Sequence, residues 1–128
     1  MSEKAVILVV EDHPGSRMLL VDLLTIQGYE VHEATNGLEG LEQARKLVPN
    51  LILTDMGMPR MSGWEMVPEI KGDPALRHIP VVAITAFAMT GDREKALAIG
   101  CDGYISKPIE TRLIGKQVAQ FLAGKTEV

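Results

Sequence analysis

The sequence predicts an α/β fold, a five-stranded parallel sheet covered on both faces by five helices. Short apolar runs alternate with amphipathic stretches from one end of the chain to the other. The apolar runs begin near Ala5, Tyr29, Leu51, Pro80 and Gly103, which are 24, 22, 29 and 23 residues apart. That spacing suits repeated strand–helix units joined by short loops. Acidic residues end two of these runs, and the carboxyl ends of strands are where open α/β sheets bind ligands.

Each element has its own signal. Val6–Val10 is uninterrupted and apolar, as a strand buried on both faces must be. Pro14 suits the first turn of the helix that follows, and Gly28 suits its close. The second strand, Tyr29–Ala34, is interrupted by Glu30, His32 and Glu33, so it belongs at a sheet edge. Leu38, Leu41, Ala44 and Leu47 recur at threes, which predicts one apolar face of a helix capped by Asn36 and ended by Pro49. Leu51–Thr54 is the next buried strand. Trp64, just after Gly63, is expected to pack at the start of the third helix. Val81–Ile84 is another buried strand. Asp92–Ile99 is a helix ending at Gly100, and the last helix turns Ile114, Val118, Phe121 and Leu122 inward. Strict alternation implies right-handed crossovers. With the polar strand at the edge, the strand order is 2-1-3-4-5, a doubly wound, flavodoxin-like arrangement whose switch point lies between strands 1 and 3. No linker or internal repeat interrupts the pattern. Residues 1–128 are expected to form a single domain, with a core from about 5 to 123 and a frayed tail at 124–128.

Composition excludes several classes. The 128 residues are 46% hydrophobic, enough for a globular core. A net charge of −4 argues against nucleic-acid binding. Cys101 is the single cysteine, so no internal disulfide is possible, and a reducing cytosol fits. The start, Met-Ser-Glu-Lys, lacks the layout of a signal peptide. No apolar run approaches the ~20 residues that span a bilayer. The chain is expected to be cytoplasmic, with neither a membrane nor a nucleic acid as partner.

The chemistry concentrates at strand ends. Glu11 and Asp12 end the first strand and Asp55 ends the third, so all three emerge at the switch point. Like charges so placed resist ionisation. A hard divalent ion such as Mg²⁺ makes all three favourable, which points to metal-assisted chemistry on phosphate. Thr85 closes the fourth strand, and Lys107, followed by Pro108, closes the fifth. Every strand except the edge one thus delivers a polar group to the same rim.

These residues carry a resemblance. Glu11-Asp12, Asp55-Met-Gly-Met-Pro59 with Gly63 eight residues after Asp55, Thr85-Ala86 and Lys107-Pro108 resemble a response-regulator receiver domain of the CheY-like kind. The likeness runs from about Val6 to Leu122, and residues 78–87 and 104–109 are especially similar to stand-alone DivK-like receivers. The resemblance implies that Asp55 accepts a phosphoryl group from a histidine kinase or phosphotransfer protein. It implies Mg²⁺ held by Asp12, Asp55 and the backbone carbonyl of Gly57, with Glu11 acting through a water. Lys107 would pair with Asp55 and then with the phosphoryl oxygens, and Thr85 would donate its hydroxyl to one of them. Phosphoryl transfer needs such positioning and charge neutralisation more than acid–base work. The resemblance further implies a cis bond before Pro108, an aromatic switch at Tyr104 coupled to Thr85, and a target surface on helix 4, strand 5 and helix 5. That surface lies around residues 89–99, 104–106 and 111–120. In receivers, the positions two after the nucleophile and two after the threonine flank the path of the attacking water. Here they are Gly57 and Phe87, which implies a long-lived phosphorylated state.

Other residues read more plainly. Glu11 and Asp12 can also act as helix-capping anions. His13 tempts a metal reading, but imidazole suits zinc better than magnesium, so a solvent-facing side chain is expected. Met56, Met58, Met61 and Met66 suit adaptable packing, and Cys101 a small buried residue. Three other classes compete. An aspartyl phosphohydrolase needs a second acid two residues past its nucleophile, where this chain has Gly57. A flavin carrier needs a phosphate cradle where the chain has the acidic segment 11–16. A receiver that only binds would not need the full acidic, Thr and Lys set.

Overall fold

The computed structural model describes residues 4–86 and 91–124. Phe87 and residues 125–128 of the expected tail lie outside the described residues. Ten elements alternate as expected: β1 Val6–Val10, α1 Pro14–Ile26, β2 Glu30–Ala34, α2 Gly37–Leu47, β3 Leu51–Asp55, α3 Gly63–Gly72, β4 Val81–Thr85, α4 Asp92–Ala98, β5 Gly103–Ser106 and α5 Ile114–Leu122. The strands form one parallel sheet in the order β2-β1-β3-β4-β5. β1 and β3 are adjacent, with Val10 opposite Thr54. The polar strand is at the edge because Glu30 and Glu33 are exposed there.

The two sheet faces carry two cores, sorted by the alternation of side chains along each strand. Leu8, Val10, Ile52, Val81 and Ala83 face α2, α3 and α4. Ile7, Val9, Leu51, Leu53, Val82 and Ile84 face α1 and α5. Met56, Met58 and Met66 are buried in the first core, with Met61 and Trp64 packed against it, and Cys101 is 5% exposed there.

Helix ends follow the local chemistry. His13 caps α1 through its side chain, Asn36 caps α2, and Ser62 forms a capping box with Glu65 on α3. Of the anionic pair before α1, Glu11 contributes at the helix start by accepting from the His13 N–H through Oε2 at 3.1 Å, while the capping side chain is that of His13. The apolar face of α2 differs from the expected one. Leu41 and Ala44 are buried, but Leu38 is 47% exposed, and Gly37 and Gly40 are buried in its place. A spacing of three falls short of a 3.6-residue turn, so four such residues fan around the helix instead of stacking. The glycines face inward because α2 lies close to its neighbours. A Cβ on Gly37 would stand 2.4 Å from the Met61 carbonyl, and one on Gly40 2.7 Å from the Met66 sulfur.

Candidate functional site

The site lies where β1, β3, β4 and β5 end. The ladder continues one residue past β1, since Glu11 N–H donates to the Ala34 carbonyl at 3.0 Å. This buries Glu11 to 1% exposure, while the next residue, Asp12, is exposed. β3 ends at Asp55, whose Oδ1 accepts from Met56 N–H at 2.8 Å. Thr54 Oγ1 donates to the Asp55 carbonyl at 2.7 Å. Gly63 lets α3 start directly beside this turn, because a Cβ there would lie 2.5 Å from the same carbonyl. One oxygen from each of Glu11, Asp12 and Asp55 lies within 4.8 Å of the others. This all-oxygen set, without imidazole or thiolate, suits a hard divalent ion.

Lys107 enters from the end of β5. Its N–H donates to the Thr85 carbonyl at 2.9 Å, and its peptide bond to Pro108 is cis. The ammonium lies 2.7 Å from Glu11 Oε1 and 3.7 Å from Asp55 Oδ2. Its nearer partner is thus Glu11, whereas the sequence pattern points to Asp55. The reason is burial: an enclosed carboxylate needs a counter-charge more than the less enclosed Asp55 does. Desolvation alone would lower the Lys107 pKa, but the Glu11 hydrogen bond and the Asp55 charge outweigh it and hold the group above its ordinary range.

Thr85 is 4% exposed at the end of β4. With Met56, Gly57, Trp64, Asp92 and Lys95 it lines a cleft of about 330 Å³ beside Asp55. Gly57 is exposed, and a Cβ there would meet nothing within 4 Å. Tyr104 is half-buried against the core on the α2–α4 side, and burial, then the Asp92 charge, pushes its hydroxyl pKa up. His13 is exposed and outside the carboxylate cluster. Arg17 is a further neighbour that the sequence pattern does not single out. From α1 it donates to the backbone carbonyls of Glu11 and Asp12 and to the Glu33 carboxylate. The one cue in the sequence is an arginine one turn beyond a helix cap, and that alone is too common to mark a role.

Residues 7–119 match the model of the response regulator receiver domain family. The chain belongs to this family. It is similar to the polar-differentiation response regulator DivK of Brucella anthropi, with 44% identity over 116 residues, 91% of this chain and 94% of the relative. The fold is also similar to that of solved structures. The signal receiver domain of a signal transduction histidine kinase from Syntrophus aciditrophicus superposes with a TM-score of 0.86 at 33% identity, over 94% of this chain and 91% of that one. The chemotaxis response regulator CheY4 of Vibrio cholerae gives a TM-score of 0.87 at 27% identity, over 92% of this chain and 98% of that one. A response-regulator receiver is a signalling switch, and the receivers of two-component systems interact with histidine kinases or phosphotransfer proteins. Among the described residues, no helix of this receiver is long and apolar enough to cross a membrane.

Proposed function

We propose that the chain is a cytoplasmic, single-domain response regulator of a two-component phosphorelay, phosphorylated on Asp55. The observation that carries this reading is the placement of the Asp55 carboxylate beside the Glu11–Asp12 pair and 3.7 Å from the Lys107 ammonium. An Asp55 oxygen attacks the phosphorus of a phosphohistidine on a kinase or phosphotransfer protein. The N–P bond breaks, its electron pair stays on the imidazole, and an acyl phosphate forms. Lys107 neutralises the incoming phosphoryl oxygens, and the Thr85 hydroxyl donates to one of them. Mg²⁺, when held by Asp12, Asp55 and the Gly57 carbonyl with Glu11 acting through a water, would supply charge neutralisation across those oxygens. Water later cleaves the acyl phosphate, returning inorganic phosphate and the Asp55 carboxylate. Gly57 offers no side chain to orient that water, so this autodephosphorylation is slow; Phe87, the other position proposed to set the lifetime, lies outside the described residues.

The switch would run from the Thr85 hydroxyl to Tyr104, which lies one strand away and is already half-buried. Targets would dock on the face of α4, β5 and α5. A cleft of about 390 Å³ there is lined by Tyr104, Lys107, Glu110, Leu113 and Gln117 among others, and Leu113 is 47% exposed. Neither nucleic acid nor membrane is a partner in this reading. An aspartyl phosphohydrolase is disfavoured because Gly57 stands where its second acid would be. The test is Asp55→Asn, which keeps the shape of the side chain but cannot form the acyl phosphate. Wild type should be labelled by acetyl phosphate or a kinase in a Mg²⁺-dependent way, and Asp55→Asn should not. Persistent acyl-phosphate label in the variant would overturn the assignment.

A further inference from the structure

We propose that Arg17 is a positioning residue for the acidic pair, strapping the segment that carries Glu11 and Asp12 to the edge of the sheet. This rests on the metal-assisted phosphoacceptor reading and names a residue outside its set of reacting groups. Only residues 11–13 separate β1 from α1. A backbone rotation in so short a connection would redirect both carboxylates together. The Arg17 guanidinium restrains that rotation from two directions. Its Nη1 donates to the Glu11 carbonyl at 2.9 Å and reaches the Asp12 carbonyl at 3.4 Å. Its Nε donates to Glu33 Oε1 at 2.9 Å, and Glu33 belongs to β2, the edge strand paired with β1.

The three contacts use the rigid fork of one planar group, a geometry that a lysine ammonium does not reproduce. The Arg17 side chain is 18% exposed, so it is held in a packed setting. Glu11 is then fixed at four points: its N–H on Ala34, its carbonyl on Arg17, and its carboxylate on the Lys107 ammonium and the His13 N–H. Asp12, by contrast, is exposed and owes its direction to the backbone that Arg17 holds. Partners that orient metal ligands without touching the metal commonly carry 10–100-fold in affinity.

The sign of the effect separates positioning from plain charge. Arg17 is a cation near a cation site. If charge were its whole influence, Arg17→Met would tighten Mg²⁺ binding. Positioning requires the opposite. Titration calorimetry with MgCl₂, paralleled by Trp64 emission, should give a dissociation constant raised about tenfold in Arg17→Met. Arg17→Lys, which keeps the charge and loses the fork, should also bind more weakly than wild type. Melting in EDTA identifies a variant that fails to fold; if Arg17→Met does, Arg17→Lys decides the question. Equal or tighter Mg²⁺ binding by the deciding variant, with wild type binding normally, overturns the role of Arg17 alone. Absence of Mg²⁺ binding by wild type overturns the metal reading and this role with it.

Discussion

Removing Asp12 should stabilise the metal-free protein while destroying its response to Mg²⁺. The magnitude follows from the geometry. Asp12 has a carboxylate oxygen within 4.8 Å of one on Glu11 and one on Asp55. At that separation, two unit charges repel by about 0.9 kcal/mol in a water-like dielectric and by about 3.5 kcal/mol at an effective constant of 20. Asp12 is exposed, so the water-like end governs, and counter-ions reduce it further. Relief from both neighbours, offset in part by the lost attraction to the Lys107 ammonium beside them, makes Asp12→Ala more stable in EDTA by up to about 1 kcal/mol, or a few degrees in melting temperature. Arg17 still has its carbonyl partners, because alanine keeps the Asp12 backbone. Wild type should gain about 1.4 kcal/mol from Mg²⁺ at ten times its dissociation constant, and the variant should gain nothing. Urea unfolding in EDTA and in MgCl₂ measures both differences. Added NaCl should narrow the gap seen in EDTA, since the Debye length falls towards the separation of the charges. A variant no more stable than wild type in EDTA, or one that keeps the full Mg²⁺ gain, would refute the picture of three mutually repelling carboxylates awaiting a cation.

Thr85→Ala should still take phosphate on Asp55 but lose most of the rise in target affinity; a normal rise would sever the proposed link from the Thr85 hydroxyl to Tyr104. Gly57→Asn combined with Phe87→Glu should shorten the life of the aspartyl phosphate by up to ~10²-fold, because an oriented water replaces an unguided one. Unchanged or slower decay in that double variant would show that these positions do not set the lifetime. Cys101, its thiol pushed up to about 12 by burial and then by Asp102, should react with a disulfide reagent only through opening of the fold. Above the ordinary thiol value of 9.0 the unfolded chain ionises first, so the contribution of Cys101 to stability should fall from there towards pH 12; a fast reaction of the native protein would refute its burial.

The sequence made the strand ends legible because each strand is short and sharply bounded. An apolar run followed by a carboxylate, a threonine or a lysine marks both the end of a strand and the rim of the sheet. The polar second strand similarly identified the edge, and the edge fixed the order of the rest. Leu38 departs from the face its spacing suggests because hydrophobicity alone does not reveal the close approach that Gly37 allows to the Met61 backbone and Gly40 to Met66. Arg17 was not legible because its partners are two backbone carbonyls, which leave no trace in residue identity, and Glu33, sixteen positions away. The closer pairing of Lys107 with Glu11 than with Asp55 was also hidden. It depends on how deeply each carboxylate is buried, and both are simply acids in the sequence.

The Lys107–Glu11 pairing sets the charge balance of the proposed reaction. Glu11, Asp12, Asp55 and Lys107 together carry three negative charges and one positive, and a bound divalent ion brings the sum to zero. Converting Asp55 to its acyl phosphate replaces one negative charge with about two. The site then holds an excess that it did not hold before. Lys107, 2.7 Å from Glu11 but 3.7 Å from Asp55, is the adjacent cation not already committed to closest contact with the reacting group. Movement of its ammonium towards the phosphoryl oxygens would leave Glu11 short of a counter-charge unless the metal supplies one. Glu11 is too deeply buried to rely on water for that compensation. A divalent ion held by these carboxylates would therefore offset two charges at once, the phosphoryl group being added and the carboxylate that Lys107 leaves behind.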